Sequence, residues 1–154
     1  MNHYSQLLYY LKGLGEADPF VNTITKGDFT KLDLSKLTVY PLLHISIGGG
    51  QFSNGQTVLF NCEVGCFQQR DAKQQEINTD KFWENDNEVD NMNETHAVLN
   101  RIWTIAYRDF NEQGFRASED APIDPVDDEY ANGLDGWILR FDILMPNTTI
   151  NLCQ

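Results

Sequence analysis

Apolar residues near the start of the chain, Tyr4, Leu7, Leu8, Leu11 and Leu14, follow the i, i+3, i+4, i+7 spacing that gathers side chains on one helix face. A helix over about residues 3–13 is expected, with Gly13 and Gly15 as its stop. Asp18-Pro19 marks a turn, Val21 to Thr25 alternates weakly, and Lys26-Gly27-Asp28 turns again before an irregular connector holding Leu32, Leu34 and Leu37. From Thr38 to Ile47, Val39, Leu43, Ile45 and Ile47 alternate with Tyr40, Leu42, His44 and Ser46, which predicts a strand with Pro41 near its start or on an edge. Gly48 to Gly55 reads as a flexible hairpin loop, and Gln56 to Gln69 as a second, antiparallel strand in which Val58, Phe60, Cys62, Val64 and Cys66 form the apolar face.

Residues 70–91 are dominated by Asp, Glu, Asn, Gln and Lys, with Ile77, Phe82, Trp83 and Val89 as isolated apolar points. A polar connection of this length inside a domain points to a functional or disordered segment. Val98, Leu99, Ile102, Ile105, Ala106 and Phe110 then make a helical stripe, with Thr95 or Asn93 able to cap its start and Gly114 suited to the position past its end. Ala117 to Asn132 is acidic and holds Pro122 and Pro125, so it reads as a loop with at most one helical turn. Trp137, Leu139, Phe141, Ile143 and Met145 alternate through a last strand that Pro146-Asn147 ends. The order of elements contains no repeated βαβ unit. It predicts one α+β domain over residues 1–154, a two-layer sandwich of a mainly antiparallel sheet on two helices, with long polar loops. The outer sheet face, with Tyr40, Leu42, His44, Leu59 and Phe67, is too apolar for solvent and calls for a cover.

A chain of 154 residues with 41% hydrophobic residues has enough apolar surface for a core without disulfides or metals. Its net charge of -12 disfavours direct binding to phosphate backbones or anionic lipid surfaces. No run approaches the roughly 18 apolar residues of a spanning helix, and no secretory leader is apparent at the start. Three cysteines, Cys62, Cys66 and Cys153, make an odd set without framework spacing, which points to a reducing compartment and leaves both Asn-x-Thr sequons without a role. On a strand, Cys62 and Cys66 stand about 13 Å apart, too far to bridge or to share a tetrahedral metal.

Candidate chemistry is sparse. His3, His44 and His96 fall on a terminus, a strand and a helix start, where surface or cap roles suffice, and His44 is placed to pair with Asn61 or Glu63 across strands. Asp80, Glu84, Asp86, Glu88, Asp90 and Glu94 form one acidic run. Glu119, Asp120, Asp124, Asp127, Asp128 and Glu129 form another, yet a calcium loop begun at Asp86 meets Asn91 where Gly is required and Ala97 where Glu is required. A solvated anionic face is the simpler reading. The triple glycine lacks the Lys and following helix of a phosphate loop, and neither a nucleophile elbow nor a paired-histidine zinc motif is present. No catalytic residue, metal ligand or cofactor is therefore assigned. The adjacent rings of Phe82 and Trp83 must dock on something, either back on their own sheet or on a neighbouring subunit, and with Ile77 and Val89 they are the candidate subunit or ring contact.

The segments HYSQLLYYLKGLG, VNTITKGDFTKLDLSKLTVYPLLHISIG, NETHAVLNRIWTIAYRDF and GWILRFDILMPN, in that order around a hairpin, resemble ring-forming head-tail connector or tail-terminator proteins of tailed bacteriophages, and among them those of crAss-like phages. The resemblance carries no catalytic motif. It implies a structural virion protein assembled in the host cytoplasm, forming a homo-oligomeric ring between portal side and tail beside neighbouring portal, connector or tail proteins. DNA would pass through its lumen without sequence-specific binding. The acidic balance suits such a wall, and Asp124, Asp127, Asp128 and Glu129 are the candidate acidic lumen or partner face. The same four residues also fit an alternative, an acidic mimic of nucleic acid that inhibits a basic host protein.

Overall fold

The chain runs α1 (His3–Ala17), β1 (Thr23–Lys26), β2 (Leu42–Ser53), β3 (Thr57–Gln69), α2 (Glu88–Glu112), β4 (Arg116–Ala117), β5 (Ile123–Glu129) and β6 (Leu134–Pro146). This is a computed structural model, and the residues it describes are 3–29, 39–70, 88–129 and 133–147, with only the backbone described at 127–129. The strands form one sheet in the order β1-β2-β3-β6-β4, and β5 pairs with the same edge of β6 as β4 does. All pairings are antiparallel except β1 with β2. The fold is α+β, a sheet packed against two helices.

Period-two alternation puts Leu43, Cys66 and Trp137 in one row, Ile45, Val64 and Leu139 in the next, and Ile47, Cys62 and Phe141 in a third. Leu7 and Leu11 of α1 and Val98, Leu99, Ile102, Ala106 and Phe110 of α2 pack on these rows as the main core. Each fully buried aliphatic side chain contributes roughly 1.5–3 kcal/mol. The helices lie antiparallel and are joined twice: Tyr10 Oη donates to Asp109 Oδ2 at 2.7 Å, and the Arg101 guanidinium donates to buried Asp18 at 2.9 and 3.1 Å. Burial and the Asp109 bond push the Tyr10 hydroxyl well above its ordinary pKa.

Several sequence expectations are corrected. Helix α1 does not stop at Gly13 or Gly15 but runs to Ala17. At Gly15 a Cβ would lie 2.7 Å from a Leu43 methyl and 2.9 Å from an Ile24 methyl, so the glycine serves close helix–sheet contact rather than termination. The triple glycine is strand, not loop. Ladder pairing continues to Ser53–Thr57, with a one-residue bulge between Ile47 and Gly49, and the connection is Asn54-Gly55-Gln56, with φ of 54° and 64° at its first two residues. Both values are positive, a conformation that Asn and Gly tolerate, and Gln56 N–H donates to Ser53 O at 3.0 Å. The first long strand begins at Leu42 rather than Thr38, directly after Pro41.

The segment expected to be a loop from Ala117 to Asn132 supplies the last residue of β4 and all of β5. Pro125 is tolerated because β5 is an edge strand, where a missing N–H faces away from the ladder. Helix α2 begins at Glu88, two turns before the expected cap, and Thr95 lies inside it with Oγ1 donating to Asn91 O at 2.7 Å. Gly114, with φ of 80°, follows the end of α2 as anticipated. Ile77, Phe82, Trp83 and the Leu32–Leu37 connector lie outside the described residues.

Candidate interface surfaces

The chemistry-bearing side chains inside the fold are committed to packing. Burial pushes the Cys62 thiol up to about 12 and the Cys66 thiol further still, so neither supplies a thiolate near neutrality. Buried His44 is held at both ring nitrogens: Nδ1 lies 2.6 Å from Thr25 Oγ1 and Nε2 lies 2.8 Å from Gly27 O. A carbonyl can only accept, so Nε2 carries the hydrogen and the Thr25 hydroxyl donates to Nδ1. The partner of His44 is therefore on β1 and its turn, not Asn61 or Glu63, because its register position on β3 is Gly65. Desolvation lowers the His44 pKa, against the smaller upward pull of backbone acceptors at Gly27 and Asp28.

A buried polar junction fixes the head of α2. Arg70, at the end of β3, donates from Nε and Nη2 to the fully buried carboxylate of Asp135 at 3.0 and 2.9 Å. Arg70 Nη2 also lies 3.5 Å from Glu88 Oε2, and Asn91 Nδ2 donates to Gln69 O at 3.2 Å. These bonds start a polar helix where hydrophobic spacing shows none. Beside them, Glu88, Val89, Met92, Asn93, His96 and Trp137 line a hollow of about 320 Å³. Trp137 Nε1 donates to Met92 O at 2.9 Å, and the His96 ring meets the indole edge-on at 5.7 Å. Val89, the described member of the aromatic-loop set, is exposed on this rim.

A second surface lies between α1 and β1. Leu8, Tyr9, Lys12, Ile24, Lys26 and Ile45 line a hollow of about 310 Å³. An adjoining one of about 370 Å³ continues through Leu8, Lys26, Asp28 and Ile45 toward Gly48, so the carboxylate of this surface lies beyond Lys26, on the side away from Lys12. Tyr4 and Tyr9 stand exposed along α1. Sequence reasoning missed this surface because β1 is four residues long and Lys12 and Lys26 are separate in the chain.

The candidate acidic residues fall on β5. Asp124 is exposed and pairs with Arg140, whose Nε also lies 3.4 Å from Glu63 Oε1. Asp127, Asp128 and Glu129 lie on the same strand, where a register shift between Val126 and Glu129 inserts one extra residue. The structure thus separates the candidate sets: Val89 belongs to the head of α2, and the four acids belong to the β5 edge. Among the described residues, no group of three or more His, Cys, Asp or Glu side chains is arranged to hold a metal ion, and no helix is long and apolar enough to cross a membrane. The chain matches no protein family model and shows no significant similarity to a curated protein.

Proposed function

We propose that this chain is a structural, non-enzymatic subunit of a closed homo-oligomeric ring in the head-tail connector or tail of a tailed phage. Neighbouring portal, connector or tail proteins would flank the ring, and DNA would pass through its lumen. The observation that carries this reading is a -12 chain that still exposes apolar hollows at separate places, at the head of α2 and between α1 and β1. Two different contact surfaces on one subunit support head-to-tail association, which closes into a ring when the rotation allows it. The segment resemblance points the same way. An acidic edge on β5 suits a wall along which DNA slides without sticking.

Light scattering across a concentration series, with negative-stain imaging of large species, tests the reading directly. Wild-type protein is expected to reach a closed ring. Replacing Phe82→Ala together with Trp83→Ala is expected to lower ring yield while leaving the monomer folded by circular dichroism, and unchanged yield overturns the role of those rings. A second reading is favoured by one observation, the four acids gathered on an edge strand: an acidic mimic that binds a basic host protein. A monomer whose capture by cationic partners collapses on raising salt would decide for that reading.

A further inference from the structure

We propose that the hollow between α1 and β1 is the docking site for the Phe82-Trp83 segment of a second copy of this chain; the inference rests on the ring reading above. Leu8, Ile24 and Ile45 give the hollow its apolar wall, and among the described residues its polar lining is Tyr9, Lys12, Thr25 and Lys26, with no carboxylate. Among the described residues, Lys26 and Arg116 are the cations with no carboxylate within 4.0 Å. Lys12 reaches Glu16 at 3.3 Å in a solvent-exposed pair that contributes little. An apolar hollow rimmed by ammonium groups is thus set into a chain of net charge -12.

The matching chemistry is in the same sequence. Asp80-Lys81-Phe82-Trp83-Glu84-Asn85-Asp86 places two large rings between carboxylates. A volume of about 310 Å³ accepts an aromatic side chain. The Lys12 and Lys26 ammonium groups would meet the flanking carboxylates and the ring faces. Two copies at -12 repel at distance, so a stable contact needs local opposite charge, and this hollow and this segment supply it. Because hollow and segment are different surfaces, the contact is heterologous, and each subunit offers one of each.

The test separates the contact from the ring. A labelled peptide of residues 77–87 is titrated into the Phe82→Ala/Trp83→Ala chain, whose own segment no longer competes. Binding is expected, with at least a tenfold loss when Lys12→Glu and Lys26→Glu are added, and a smaller loss with Lys12→Gln and Lys26→Gln should charge reversal unfold the chain. Peptide that fails to bind, or binds equally to the lysine variants, overturns the proposal. In a mixing experiment, the Lys12→Glu/Lys26→Glu chain retains a segment and the Phe82→Ala/Trp83→Ala chain retains a hollow. Together they are expected to give heterodimers at twice the monomer mass and no rings. Wild-type rings that persist in the lysine variant overturn the docking site and leave the ring reading standing. A wild-type monomer that still binds peptide at the lysines overturns the ring and the second-copy occupant.

Discussion

On the sheet face turned away from the helices, β3 passes from a dry environment to a wet one within four residues. At one end Leu42, Phe67, Val126, Leu134 and Ile138 form a second buried cluster, joined by Phe29 and Tyr40, with His44 sealed beside it. At the other end Ser46, Glu63 and Arg140 share a row, and Asn61 pairs with Asp142 in register, both exposed. Both halves use the same strands and the same hydrogen-bond ladder. What differs is side-chain volume and cover. At Gly65 a Cβ would lie 2.6 Å from the Phe67 ring and 2.8 Å from the Phe29 ring, so the missing side chain makes room for two rings to close over the strand. At Gly136 a Cβ would lie 1.9 Å from Cys66 O, which forbids any larger residue without moving β3 from β6. The dry half is an interior and the wet half is a surface available to solvent and partners.

The sharpest way to break this contrast is Phe67→Ala. Phe67 is fully buried, and its loss opens a cavity between Leu42, Phe29 and Ile138. A destabilisation of about 3–5 kcal/mol is expected from urea unfolding. If the variant unfolds at the wild-type midpoint, the outer cluster is not a core.

His44 sharpens the comparison through pH. Its folded-state pKa lies below the ordinary 6.5, so at acid pH the unfolded chain takes up a proton that the folded chain refuses. The stability that neutral His44 preserves is fully present above pH 6.5 and is lost as pH falls below it toward the folded-state value. Wild-type urea midpoints are expected to drop between pH 7.5 and 5.5. The drop should be smaller in His44→Gln, and equal drops in both proteins would assign the acid sensitivity elsewhere.

The smallest effect belongs to the wet half. Arg140 lies between Glu63 and Asp124 with all three side chains partly exposed, and solvent screens the pairs. Arg140→Ala is expected to cost under about 1 kcal/mol, and less in high salt. A loss comparable to that of Phe67→Ala would show that this end, too, is an interior.

The elements most legible along the chain were those whose apolar residues keep one period for many residues. β3 and β6 appear within a few residues of their expected bounds, because Val58 to Cys66 and Trp137 to Met145 alternate without interruption. The need for a cover over Leu42 and Phe67 was also legible, since their face is too apolar for water. β5 was not, because Pro122, Pro125 and a run of acids are loop signals, and only an unoccupied edge of β6 makes them a strand. The first two turns of α2 were hidden for a related reason: Asn91 is buried to bond Gln69 and Asp135, residues distant in sequence. The candidate surfaces divide the same way. Val89 and the β5 acids stand in local runs that a linear pattern singles out, whereas the Trp137–His96 hollow and the Lys12–Lys26 hollow join residues that no local pattern connects.

Residue spacing alone sets the α+β class, the long hairpin partners and the main core, because periods of two and 3.6 dictate which side chains share a face. Tertiary packing settles the rest. A glycine that locally reads as a helix stop becomes a contact point when Leu43 and Ile24 lie against it. An acidic loop becomes a strand when β6 offers unpaired backbone. A histidine becomes a neutral buried group when Thr25 and Gly27 close on its two nitrogens. Each outcome depends on groups brought near by the fold, and one-dimensional spacing holds no record of that proximity.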